Sequence, residues 1–113
     1  MPEMPMIYEL RVYRSMPGKM PALLRRFEDR TLKIWERIGI RPVGFWTTLI
    51  GESNQQLTYM LAWENMAERE KLWNAFAADA EWAKVAAESE REGPLVQNIA
   101  NELLRPTVFS AMK

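Results

Sequence analysis

Across Met16-Pro17-Gly18 the apolar period of this chain changes from two residues to steps of three and four. Residues 6–15, MIYELRVYRS, alternate in type. Tyr8, Leu10 and Val12 share one face, and Ile7, Glu9, Arg11 and Tyr13 the other, so the segment reads as a strand whose two faces are used differently. After the break a helix begins near Lys19, where Pro21 is tolerated because first-turn N–H groups have no intrahelical partner. Met20, Leu23, Leu24, Phe27, Thr31, Ile34, Trp35 and Ile38 form its apolar stripe, while Arg25, Arg26, Glu28, Asp29, Lys33, Glu36 and Arg37 form a solvated side. Gly39 is placed to end this helix in a left-handed conformation, and Pro42 cannot resume it.

Residues 43–51, VGFWTTLIG, and 57–64, LTYMLAWE, are rich in aromatic and β-branched types and flank a polar stretch at 52–56, which predicts an antiparallel hairpin with a long, wet loop. Asn65 and Glu68 stand at capping-box spacing before a second helix that starts at Met66. Its stripe is Leu72, Trp73, Phe76 and Ala80, but Trp82 falls about half a turn of the wheel from Trp73. One straight helix would expose that tryptophan; a break with Asp79 as a fresh N-cap re-aims Trp82, Val85 and Ala86 toward apolar surface. The third helical piece ends before Gly93-Pro94. Residues 95–109 carry a last short strand whose place in the sheet is open, with Pro106 marking an edge or irregular end.

The order strand, helix, strand, strand, helix pair, strand is the β-α-β-β-α-β arrangement of a ferredoxin-like α+β domain, an antiparallel sheet with helices on one face. Its second face would be left without a layer, and packing two such sheets together is the simplest cover. With 113 residues the chain can bury one core, so residues 1–113 read as a single domain and any large enclosed site points to a homodimer.

Composition excludes several chemistries. There is no cysteine and no histidine, which removes zinc, haem-thiolate, iron–sulfur and Cys/His or Ser–His–Asp sites. Fifteen basic residues balance fifteen acidic ones with no cationic run, so nucleic-acid binding is not expected. Residues 1–6 carry Pro2, Glu3 and Pro5, unlike a secretory signal, and no apolar run approaches membrane-spanning length; a cytoplasmic protein is the expectation. The surface carboxylates lack the alternating Asp/Asn pattern of a calcium loop, and neither metal nor cofactor is predicted. Gly51-Glu52-Ser53-Asn54-Gln55 is not a nucleophile elbow, and Pro17-Gly18-Lys19-Met20 is not a phosphate loop.

Several segments together resemble the NIPSNAP family of the dimeric α/β-barrel group. These are Tyr8-Glu9-Leu10-Arg11-Val12-Tyr13 with Pro17-Gly18-Lys19; Val43-Gly44-Phe45-Trp46 with Gly51 and Asn54; Ala62-Trp63-Glu64; and Trp73, Phe76, Asp79, Glu81-Trp82 running on to Glu88-Ser89 and Gly93-Pro94-Leu95. The resemblance implies a ferredoxin-like protomer whose sheet packs on a second protomer's to form a barrel with helices outside. It implies no particular activity, because fold relatives include cofactor-free monooxygenases, haem-degrading enzymes, lactone isomerases and pure binders. The haem-degrading option is weakened by the missing histidine.

Two residue groups are candidates for chemistry. Glu9, Arg11 and Tyr13 place an acid, a guanidinium and a phenol on one strand face, where in a barrel lumen they would orient a small carboxylate or enol. The competing reading is an interfacial Glu9–Arg11 ion pair that sets the docking register of a dimer, since structural ion-pair networks resemble active sites electrostatically. Trp46, Tyr59 and Trp63 on the hairpin, with Trp35 and Trp73 on the helices, are enough to wall a pocket for a flat apolar ligand, although aromatics at such positions commonly form the core. Eight methionines fit either use. The expectation is a homodimer binding a small apolar or aromatic ligand. The alternatives are a cofactor-independent monooxygenase or isomerase using Glu9, Arg11 and Tyr13, or an interaction module without a ligand.

Overall fold

A computed structural model describes residues 6–113; the reading of residues 1–5 as no secretory signal lies outside the described residues. The elements run β1 (Ile7–Ser15), α1 (Met20–Arg26), a π-helical turn (Phe27–Thr31), α2 (Leu32–Ile38), β2 (Arg41–Thr47), β3 (Gln56–Trp63), α3 (Met66–Ala77), α4 (Ala80–Ser89) and β4 (Val96–Leu104). Every pairing is antiparallel and the strands lie in the order β2-β3-β1-β4, the ferredoxin-like arrangement. The last strand, unplaced by its own sequence, is an edge strand beside β1 and stops two residues before Pro106.

Strand alternation decides what meets the helices. Tyr13 of β1 and Leu57, Tyr59, Leu61 and Trp63 of β3 join Leu23, Phe27, Ile34, Trp35, Phe76 and Val85 of the helical layer in one buried cluster. Burying each large side chain of this kind contributes about 1.5–3 kcal/mol. On the opposite sheet face Leu10, Val12 and Met60 are partly buried and Trp46 is 52% exposed.

The expected continuous helix from Lys19 to Ile38 is interrupted by the π turn, in which the Leu32 N–H donates to the Phe27 carbonyl. Stripe spacing does not reveal it, because over five residues a widened turn and an α turn place the same side chains on one face. Gly39 ends α2 at φ 106°, as its position requires.

The first hairpin strand is shorter than predicted. It runs from Arg41 only to Thr47, which pairs with Leu57, the second residue of β3, so Leu49 and Ile50 have almost no strand left to pair with and are 94% exposed. A register shift between Pro42 and Gly44 accommodates the proline, which has no N–H to give the ladder. The Trp46 indole folds back over Gly44, where a Cβ would stand 2.8 Å from a ring carbon.

Asn65 caps α3 by accepting from the Glu68 N–H at 2.8 Å. Glu68 reaches back to the Glu64 N–H, one residue earlier than a capping box requires, and also pairs with Arg41 at 2.6 Å. The predicted break is present: Asp79 is extended, accepts from the Trp82 N–H at 3.0 Å, and opens α4. Trp82 then lies 4.7 Å from the Phe76 ring. Among the described residues no helix is long and apolar enough to cross a membrane.

Candidate functional site

The face of β1 that carries Glu9, Arg11 and Tyr13 lies beneath the helices, so these residues point away from the uncovered side of the sheet on which a barrel lumen was expected. Alternation alone separates two faces without saying which one the helices take. Glu9 is fully buried, and its carboxylate is surrounded by donors from four elements. Its Oε1 accepts from Arg69 Nε of α3 at 2.7 Å and from Trp63 Nε1 of β3 at 3.0 Å. Its Oε2 accepts from Arg11 Nη1 at 2.8 Å, Asn101 Nδ2 of β4 at 2.9 Å and Arg69 Nη2 at 3.1 Å. A carboxylate has about four lone-pair sites, so this one is saturated.

Burial by itself pushes the Glu9 carboxyl up, but donation from Arg69, Asn101 and Arg11 outweighs it and holds the pKa at about 2. Arg11 also donates from Nε to the Tyr59 hydroxyl at 2.8 Å, and its guanidinium carbon lies 4.5 Å from the Trp73 ring centroid. Burial drives the Tyr59 phenol well above the usual tyrosine range, which keeps it protonated as the acceptor for Arg11. The Glu9 carboxylate and the Arg11 guanidinium thus share a nearly dry space bounded by Tyr13, Tyr59, Trp63 and Trp73, which the partly exposed Arg69 enters from α3.

The structure therefore brings Glu9, Arg11, Tyr13, Tyr59 and Trp63 together, and separates them from Trp46, which stands on the other face of the sheet. Those six residues do not form one wall, because Trp46 pairs with Thr58 and alternation turns it away from Phe45 and Tyr59. Arg69 and Asn101 belong to the cluster and carried weaker signals. Arg69 stands three, four and seven residues before Leu72, Trp73 and Phe76, a cationic member of the apolar stripe. Asn101 could be found only once β4 was placed beside β1.

A second feature lies at the π turn. Leu24, Phe27, Glu28 and Leu32 from the helical layer and Phe45 and Leu57 from the hairpin line a pocket of 270 Å³. Its aromatic wall is fixed from behind, since Tyr59 lies 5.1 Å from Phe45 and 5.4 Å from Phe27 between ring centroids. Leu32 is shared with a wider groove of 650 Å³ that runs past Gly39, Ile40 and Pro42. Among the described residues no group of acidic side chains is arranged to hold a metal ion.

The chain matches the family model described as NIPSNAP over residues 8–111. Among solved structures it is similar to a NIPSNAP family protein from Agrobacterium tumefaciens at 27% identity and a TM-score of 0.85, covering 96% of this chain and 99% of that one. A second from Agrobacterium tumefaciens, described as of unknown function, has 26% identity and a TM-score of 0.84, with 99% and 97% covered. An uncharacterized NIPSNAP-like domain protein from Burkholderia xenovorans has 26% identity and a TM-score of 0.83, with 95% and 90% covered. None of the curated proteins compared matches the chain.

Proposed function

Given that this chain belongs to the NIPSNAP family, we propose that it acts as a homodimer that binds a small apolar or aromatic ligand between sheet and helices, without metal or organic cofactor. The observation that carries this reading is the 270 Å³ pocket at the π turn, whose lining is apolar except for Glu28 at its rim. That volume is close to the lower end for small-molecule sites and suits one or two rings. π turns recur at functional sites because they widen a helix locally, and here the widened stretch supplies Phe27. The uncovered sheet face, with Leu10, Val12 and Met60 partly buried and Trp46 exposed, supports the second copy as the missing layer.

The enzymatic alternative is less well served by the geometry. Glu9 has every lone pair occupied and a pKa of about 2, so it has no useful basicity near neutral pH. The buried network reads instead as the frame that holds β1, β3, β4 and α3 in register behind the pocket.

Native mass spectrometry of protein purified from its own host tests the proposal. A dimer carrying a discrete added mass is expected, and Leu24→Trp, which fills the pocket, should give the same dimer without it. A monomer, or a clean dimer that takes up no indole from solution, overturns the proposal.

A further inference from the structure

Within the helical layer, α1 and the π turn meet α4 at a cleft of 340 Å³. Ala22, Val85 and Leu95 line its apolar part, and Val85 and Leu95 are themselves core residues. Arg25, Arg26 and Arg30 line the rest with Asp29 and Glu88, and Glu90 reaches Arg26 from outside the lining, so the three arginines are balanced only by counting that long contact. The cleft shares Ala22, Glu88, Ser89 and Leu95 with a second hollow of 250 Å³ that adds Lys19, Arg91 and Glu92.

Arg26 is the unusual member. It is only 8% exposed, and its guanidinium carbon sits 5.2 Å from the Trp82 ring centroid, so the group is immobilised against an aromatic face. Its Nη1 donates to Ser89 Oγ at 3.2 Å and to Glu90 Oε1 at a long 3.5 Å, and Nε is buried with no partner among the described residues. Ser89 Oγ is oriented for this role, since it donates onward to the Ala86 carbonyl at 3.2 Å. The neighbouring Arg30–Glu88 pair is similarly loose at 3.4 Å. A guanidinium has five donors, and burying one with a vacant donor and one distant counter-charge is costly. Glu90, on a side chain 41% exposed, is a weak internal stand-in for a closer carboxylate.

We propose that this cleft is a second binding site, separate from the π-turn pocket, for a small amphiphilic carboxylate. Its head group displaces Glu90 and pairs with Arg26, with Arg30 and Arg25 flanking, while its short apolar tail lies on Ala22, Val85 and Leu95. Arginine suits this role because its planar fork matches a carboxylate in two bonds.

Calorimetric titration of the full chain with hexanoate, 1-hexanol and inorganic phosphate tests the proposal. Saturable hexanoate binding is expected, with hexanol and phosphate each at least tenfold weaker. Glu90→Gln removes the internal competitor from an exposed position without loss of fold, and should tighten hexanoate severalfold. Arg26→Lys keeps the charge but loses the fork and should weaken it at least tenfold. Hexanol or phosphate binding as tightly as hexanoate overturns the assignment, as does hexanoate binding unchanged in both variants, which would place it in another pocket.

Discussion

Arg69 of α3 spans both oxygens of Glu9 of β1, at 2.7 and 3.1 Å, across a separation of sixty residues in the sequence. The pair ties the helical layer to the middle of the sheet. Since Trp63 and Asn101 donate to the same carboxylate, both strands flanking β1 are referred to that one group.

Glu9→Gln is the direct test of that frame. The substitution keeps the shape but removes the charge that Arg11 and Arg69 share, and leaves an amide N–H₂ among donors. Breaking a buried pair from one side costs about 3–5 kcal/mol. Urea unfolding monitored by tryptophan fluorescence should show a loss of this order; a loss below about 1 kcal/mol would mean that the guanidinium groups turn out to solvent.

The same carboxylate predicts an acid limb in stability. Its folded pKa of about 2 lies below the ordinary value of 4.5, so its contribution is fully present above pH 4.5 and is lost as the pH falls toward 2. That gap corresponds to a contribution on the order of 3 kcal/mol. Urea midpoints measured between pH 7 and pH 2.5 should fall through this window, and Glu9→Gln should flatten the fall. Glu68 and Asp79, also held below their usual range, add in the same direction to the acid sensitivity that the variant retains.

Trp46 offers a test of the second copy. It is half exposed on the uncovered sheet face, so Trp46→Glu should leave the single chain folded while placing a charge in the proposed sheet-to-sheet contact. Sedimentation equilibrium should move from a two-chain to a one-chain mass, with unchanged far-ultraviolet circular dichroism. A variant that stays dimeric would move the interface elsewhere.

Thr31 closes the π turn with its hydroxyl buried and unpartnered among the described residues. Thr31→Val replaces that oxygen by a methyl of similar size and should raise stability by roughly 1 kcal/mol, because an unmade hydrogen bond is removed from the folded state. Thermal unfolding of the two proteins decides it. A lower midpoint for valine would show that the hydroxyl has a partner in solution.

Local physics made much of this fold legible without a structure. The two periods on either side of Met16-Pro17-Gly18, the Gly39 stop, the Asn65 cap and the break at Asp79 are each decided within a few residues, by backbone sterics and first-turn hydrogen bonding, and the element order then leaves few ways to arrange one sheet. Alternation also grouped Glu9, Arg11 and Tyr13 on one face of β1. Which side of the sheet the helices cover, that β4 lies beside β1 to bring Asn101 to Glu9, and that α3 aims Arg69 into the same space are long-range outcomes. The π turn and its pocket belong with them, as does the parting of Trp46 from Tyr59. Each depends on which apolar surfaces win the competition to be buried together, and that competition is settled between segments far apart in the chain.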